Sequence, residues 1–310
     1  SGVLAGDRTV LARAITLTES RRTDHRELAA AALDEVIGAT GKTGRAVARA
    51  LLARGVPVRA AARAGRADAV LGGTTPVAVD LETGAGLDAA LDGIRAVYHL
   101  APNVHPDEVA MAARMADAAA AAGTPRVVFH SVLHPDDARM PHHLRKHEAE
   151  TVLRSVLGDR LTVLRPAAYH QNLLDQVRTG VVNLPYSPDA PFSNVDLGDV
   201  AQVAAAALLN PVIGGGVHDL AGPQVLTTEE MGRQAAAALG RRVEVRRISI
   251  ESWLAGPGAS LSAPAQDALV AMFRAYDDGG LVGDPASLLG ALGALDRPAT
   301  TWVEAVSRLP

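Results

Sequence analysis

The chain is 310 residues long, 48% apolar and 21% charged, with a net charge of −4 and no cysteine. That length suits one large α/β domain, or such a domain with a smaller lobe, and the apolar share can fill a core. Disulfides, thiolate chemistry and cysteine-based zinc sites are excluded. No basic tract with interleaved aromatics points to nucleic acid, no apolar run reaches a membrane span, and the N-terminus lacks a signal-peptide pattern, so a soluble, cytoplasmic protein is expected.

Residues 3–33 read as helix, with Leu11, Ile15 and Leu17 among charges and Asp24 and Glu27 in capping-box spacing. The pattern then changes. Short apolar runs at 35–38, 56–62, 77–80, 96–100, 126–130 and 161–164 alternate with helix candidates near 42–54, 85–92, 106–122 and 142–157. Such alternation predicts a doubly wound parallel sheet with helices on both faces. After Arg165-Pro166 it loosens: helices at 196–209 and 228–239, a strand at 243–250 and a mostly helical tail, 262–310. Three parts are expected: a helical extension (1–34), a Rossmann-type nucleotide-binding domain (35–166) and a smaller α/β substrate lobe (167–310).

The segment "VIGATGKTG", 36–44, decides the nucleotide. Its Gly-Lys-Thr resembles the end of a triphosphate loop, but that loop needs G-x-x-x-x-G-K-[ST], and Val36 stands where the first glycine belongs. What remains is Gly38, Gly41 and Gly44 in dinucleotide spacing, between a short apolar run and an amphipathic helix. An NAD-selective enzyme carries an acid about twenty residues on. Here stand Arg63 and Arg66, suited to a 2′-phosphate, with Lys42 as a further cation in the loop. NADP(H) is favoured over NAD(H); the alternative is that Arg63 is a solvated surface arginine.

The ordered motifs "GATGKTGRAVARALLARGVPVRAAAR", "VAVDLE", "VYHLAP", "VVFHSV", "LTVLRPAAYHQNLL" and "NVDLGDVAQVAAAAL" resemble the NmrA-like group of atypical short-chain dehydrogenases over about residues 35–310. The resemblance implies a Rossmann domain with a small C-terminal substrate lobe and a bound NADP(H) or NAD(H). It implies that Gly38, Thr40, Gly41, Lys42, Thr43 and Gly44 line the pyrophosphate, that Arg63 meets the adenosine phosphate, and that Asp80 and Leu81 flank the adenine. Leu100, Ala101 and Pro102 would border the ribose and nicotinamide, with Ser131 beside the nicotinamide. Two features depart from the group. Asp34 and Glu35 stand where a longer apolar strand should begin, and the preceding thirty residues resemble the N-terminal helices of the GTPase chaperones of methylmalonyl-CoA mutase. That segment is read as an added arm for packing or dimerisation. The Tyr-x-x-x-Lys dyad of ordinary short-chain dehydrogenases is also missing, since Pro102, Leu173, Ala190 and Gly280 stand four places after the tyrosines.

For proton donation the segment 130–153 offers five of the ten histidines and one of the two lysines. His147, with Lys146 beside it, matches the position that faces the nicotinamide in the resembling reductases, and His134 is a second candidate; the alternative for each is a solvated helix face. His143 and His147 share a helix face, but no third ligand is fixed by spacing, so no metal is expected. Tyr169, His170 and Asn172 would line the substrate pocket or fix the crossover, and Asp196 and Asp199 read as helix-capping residues. The leading reading is an NADP(H)-dependent oxidoreductase acting on a quinone, an enone or an aromatic polyketide-like carbonyl. The alternatives are an NADP(H)-sensing regulator with little turnover, and a tailoring enzyme performing a net oxygenation or isomerisation. The expected partner is an aromatic or quinone-like small molecule, with neither nucleic acid nor membrane, and with a homodimer open.

Overall fold

The computed structural model describes residues 33–123, 126–210 and 215–310; the helical arm expected before the first strand lies outside them. Strands β1 (Leu33–Ile37), β2 (Val58–Ala62), β3 (Thr75–Ala78), β4 (Ile94–His99), β5 (Arg126–His130) and β6 (Leu161–Pro166) all enter one sheet. Two short strands, β7 (Val181–Leu184) and β8 (Pro191–Phe192), leave it, and β9 (Gly216–Leu220) returns as its seventh member. The order is β3-β2-β1-β4-β5-β6-β9, every pair parallel. Direction reverses between β1 and β4, which opens a crevice at the carboxyl ends of the strands.

Period-two alternation sends neighbouring side chains to opposite faces. Val36, Tyr98 and Val128 join one core layer, and Ile37, Val97 and Val127 the other. The first layer is covered by α1 (Lys42–Leu52), through Val47, Ala48 and Leu51, and later in the chain by an alanine-rich helix. The second is covered by α2 (Leu87–Leu91), α3 (Glu108–Ala121) and α4 (Pro141–Leu157), with Met111, Met115 and Leu153 fully buried.

The remaining elements are α5 (Gln171–Thr179), α6 (Leu197–Leu209), β10 (Leu226–Thr227), α7 (Thr228–Leu239), β11 (Glu244–Arg247), α8 (Ile250–Ala255), α9 (Ala263–Asp277), α10 (Ala286–Gly293) and α11 (Trp302–Ser307). Most form the smaller lobe, where β7 pairs in parallel with β11 and β8 antiparallel with β10. Its core gathers Leu173, Val177, Met231 and Trp302, whose indole N–H donates to the Met231 carbonyl at 2.8 Å.

Two expectations need correction. A boundary after residue 166 puts α6 and β9 in the lobe, yet α6 packs on α1 and the sheet, and β9 hydrogen-bonds to β6. The strand expected at 243–250 ends at Arg247, because the Ser249 side chain accepts from the Ser252 N–H and starts α8. The acidic start of β1 does not prevent a strand. Asp34 is fully buried and takes both hydrogen bonds from Arg95, at 3.1 and 3.2 Å. Neither carboxyl oxygen of the buried Glu35 has a partner among the described residues, and burial, opposed by the Arg59 charge, raises its pKa to about 8. Glu35 is therefore a neutral acid in a central strand. Among the described residues no helix is long and apolar enough to cross a membrane, and no three side chains converge as metal ligands.

Candidate active site

A cavity of about 1490 Å³ opens at the carboxyl ends of the strands and is roofed by the lobe. It exceeds the roughly 300–1,000 Å³ of a pocket for one small molecule. Each of the first six strands delivers residues to it: Gly38, Thr40, Gly41, Lys42 and Thr43 after β1, Arg63 and Arg66 after β2, Asp80 and Leu81 after β3. Leu100, Ala101 and Pro102 follow β4, Ser131 follows β5, and Tyr169 and Asn172 follow β6.

The three glycines of the first loop have three different reasons. Gly38 has φ of +81°, and a Cβ there would lie 2.8 Å from the Leu100 carbonyl oxygen. At Gly44, which does not line the cavity, a Cβ would lie 2.3 Å from the Gly38 oxygen, so this glycine lets helix α1 pack on the turn. Gly41 has neither reason: φ is −80°, and an added Cβ would make only an ordinary contact of 3.6 Å. Among the described residues no close contact demands glycine at 41; glycine suits the N-cap position, and it lets a ligand approach that backbone closely. Gly41 is also the N-cap of α1 and supplies no side-chain cap, so the helix presents uncapped N–H groups to the cavity. That combination fits a pyrophosphate.

Farther along the rim, Arg63 and Arg66 are exposed and line the cavity, and neither guanidinium meets a protein partner among the described residues. The Asp80 carboxylate is tied into its own turn, accepting from the Glu82 N–H at 2.8 Å. Lys42 donates to Asn172 at 2.5 Å, bridging the glycine loop to the segment after β6.

At the inner end Lys146 lines the cavity, donates to the His130 carbonyl at 2.9 Å and forms an ion pair with the buried Glu108. The Ser131 hydroxyl donates to Glu150, which Arg165 holds in a fork of 2.9 and 2.5 Å. The proposed proton donors fare differently from Lys146. His147 is exposed one position round α4 and belongs to a separate depression with Glu150, Arg154 and Arg165. His134 is also exposed and outside the cavity, its Nε2 2.6 Å from the Val282 carbonyl. His105, His130, His142 and His143 do line the cavity, and of these His142 stands four residues before Lys146, is 9% exposed and has no partner at Nδ1 among the described residues. No tyrosine stands four places before a lysine, but a histidine does, and that i, i+4 spacing was the available signal. Burial, followed by the charges of His143, Arg145 and Lys146, lowers the His142 pKa to about 3, so the ring is neutral.

A buried chain of three rings runs inward from the cavity wall, which His130 and Tyr169 line, to Tyr98. The Tyr98 hydroxyl lies 2.5 Å from His130 Nδ1, and the Tyr169 hydroxyl 2.8 Å from His130 Nε2. Burial and the Lys146 charge push His130 to about 3, so it is neutral and has one donor and one acceptor. Tyr98 is fully buried, and among the described residues its hydroxyl meets only His130. Satisfying that hydroxyl requires Nδ1 to accept, which leaves Nε2–H to donate to Tyr169. The Tyr169 hydrogen is then free for Thr43 or a ligand. His170, by contrast, does not line the cavity: it is 2% exposed and packs on Trp302 at 5.4 Å between centroids. Asp196 caps α6, accepting from the Gly198 N–H at 2.7 Å, and Asp199 accepts from the Thr300 N–H at 2.6 Å.

Comparison with known proteins agrees with this geometry. The chain is 30% identical over 275 residues to a (4-alkanoyl-5-oxo-2,5-dihydrofuran-3-yl)methyl phosphate reductase of Streptomyces griseus, covering 86% of this chain and 95% of that protein. It is 30% identical over 284 residues to an NAD(P)H azoreductase of Xenophilus azovorans, covering 87% and 95%. The NADPH-dependent quinone oxidoreductase of Escherichia coli, solved with NADPH, shares the fold with a TM-score of 0.73 at 24% identity, over 88% of this chain and 98% of that one. Residues 35–301 match the NmrA-like family, and the chain belongs to it.

Proposed function

We propose that the chain is an NADP(H)-dependent reductase of a quinone, an enone or an aromatic carbonyl. The observation that carries this reading is the glycine loop, whose Gly41 leaves the backbone open to a ligand at an uncapped helix N-terminus, together with two arginines on the same cavity that meet no partner among the described residues. The loop and the α1 N-terminus would hold the pyrophosphate, and Arg63 and Arg66 the 2′-phosphate. Leu100, Ala101 and Pro102 would border the nicotinamide ribose, with Ser131 and Lys146 beyond it. When bound, the cofactor supplies a hydride. That hydride and one proton from water would together convert a quinone to the hydroquinone, with NADP+ as the oxidised product. His142 would offer a neutral N–H to the acceptor oxygen as charge builds there, which needs no imidazolium. Support for a redox role comes from the relatives, two of which are named reductases.

The experiment is NADPH consumption with a panel of quinones and enones. Acceptor-dependent oxidation with matching hydroquinone formation supports the reading. Tight NADPH binding without turnover on any acceptor would turn it toward the sensing alternative. A cytoplasmic setting and a homodimer belong to the same proposal; light scattering on the purified full chain tests the dimer.

A further inference from the structure

The chain has nine aromatic residues, two Trp, four Tyr and three Phe. Five of them, Tyr186, Phe192, Trp253, Phe273 and Tyr276, line the lobe side of the cavity. They form one contiguous wall. Phe192 and Tyr276 stand edge to face at 5.0 Å, Trp253 and Phe273 at 4.9 Å, and Tyr186 meets Phe192, Phe273 and Tyr276 at 5.4, 5.9 and 5.4 Å. Phe192, Trp253, Phe273 and Tyr276 are buried members of the main core and Tyr186 packs against them, yet all five also border a cavity that already exceeds one ligand.

The charge of this wall is as telling as its rings. From Pro166 onward, no Asp, Glu, Lys or Arg lines the cavity. The cations that do line it belong to the other side: Lys42 on the glycine loop, Arg63 and Arg66 on the rim, and Lys146 already paired with Glu108. The wall's hydroxyls stay neutral too, since burial pushes the phenols of Tyr186 and Tyr276 well above their ordinary range. A phosphate or sulfonate entering such a wall would lose its water and gain no counter-charge, a cost of several kcal/mol. A flat uncharged ring system loses little and gains ring–ring contact.

We propose that the lobe wall is a subsite for an uncharged, planar, polycyclic aromatic acceptor, and that it discriminates against acceptors bearing phosphate or sulfonate. The inference rests on the reductase reading for the word acceptor, but the recognition itself is independent of turnover. It separates this chain from the Streptomyces griseus relative, whose name specifies a phosphate-bearing substrate.

Trp253 lines the subsite while the second tryptophan, Trp302, is fully buried in the lobe core, so quenching of Trp253 reports occupancy. The probes are 9,10-anthraquinone and its 2-sulfonate, titrated into the full chain with NADP+ present; Trp253→Phe identifies the responding ring. We expect saturable quenching by anthraquinone and at least roughly tenfold weaker binding of the sulfonate, the scale of about 1.4 kcal/mol. Met272→Arg, which puts a cation in the same wall, should reverse the order. Equal or tighter binding of the sulfonate by the unaltered chain overturns the proposal, as does binding of neither probe. Anthraquinone binding without NADPH oxidation would refute the reductase reading and leave the subsite standing. Preferred turnover of a phosphorylated butenolide would do the reverse.

Discussion

Arg63 carries the cofactor preference in this account. Its guanidinium and that of Arg66 are exposed, line the cavity and have no protein partner among the described residues. Losing charge-assisted hydrogen bonds of this kind costs roughly 1.5–3 kcal/mol. Arg63→Asp should therefore weaken NADPH about ten- to a hundredfold in calorimetry while leaving NADH nearly unchanged; equal losses for both would detach Arg63 from the 2′-phosphate. The histidines give a second test at this scale. His130 and His142, the histidines beside the cavity held to about 3, are already neutral across the working range. The quinone rate should then show no imidazole limb between roughly pH 5 and 8. His142→Phe should lower kcat for an enone or ketone more than for a quinone, with NADPH affinity retained. A limb near neutrality that vanishes in His147→Ala would return the donor role to His147. The convergence of Gly38, Gly41, Arg63, Asp80 and Leu100 on one cavity was legible in the sequence because these residues follow strands directly, at fixed steps from β1, β2, β3 and β4. The proton-donor half was not, because a helix turns about 100° per residue: moving from Lys146 to His147 leaves the cavity, whereas moving back one turn to His142 stays in it.

Among the elements, β1 holds the largest conflict between sequence and burial. Strand formation survives because β1 is paired on both sides, by β2 and β4, and because Asp34 finds Arg95. Glu35 has no such partner among the described residues and is held neutral. Its folded pKa, about 8, lies above the ordinary 4.5, so the folded state binds the proton more tightly than the unfolded one. The contribution is therefore full below about pH 4.5 and is lost as the pH rises toward 8, at up to about 1.4 kcal/mol per unit. Glu35→Leu should stabilise the chain in urea, and its advantage should grow through that window and level off above it. A constant advantage at every pH would mean that Glu35 titrates normally. Central strands such as β4, β5 and β6 were readable as apolar runs. The seventh, β9, was missed because it sits at the sheet edge as "GVHDL", with Val217 40% exposed, and an edge strand carries no two-sided apolar pattern. That omission also misplaced the lobe boundary, since β9 and α6 bring the chain back to the sheet after the lobe has begun.

For the whole molecule, the sheet reversal gathers six strand ends around one cavity, and the lobe closes it with a wall of rings. The family, the sheet and the cofactor loop could all be read from ordered motifs; the wall could not, because Tyr186, Phe192, Trp253, Phe273 and Tyr276 are spread over ninety residues without a motif. The central claim is that the strand-end cavity holds NADP(H), and Gly41 allows it to be tested apart from folding. Its backbone is extended and an added Cβ meets nothing closer than 3.6 Å, whereas at Gly44 it would lie 2.3 Å from a carbonyl oxygen. Gly44→Ala should thus destabilise the protein itself. Calorimetric titration of Gly41→Val with NADPH, alongside its melting curve, is the direct measurement. The expected result is a protein that still melts cooperatively close to the unaltered Tm, with NADPH affinity reduced at least about a hundredfold, roughly 2.7 kcal/mol. An intact Gly41→Val protein that binds NADPH as tightly as the unaltered chain would contradict it.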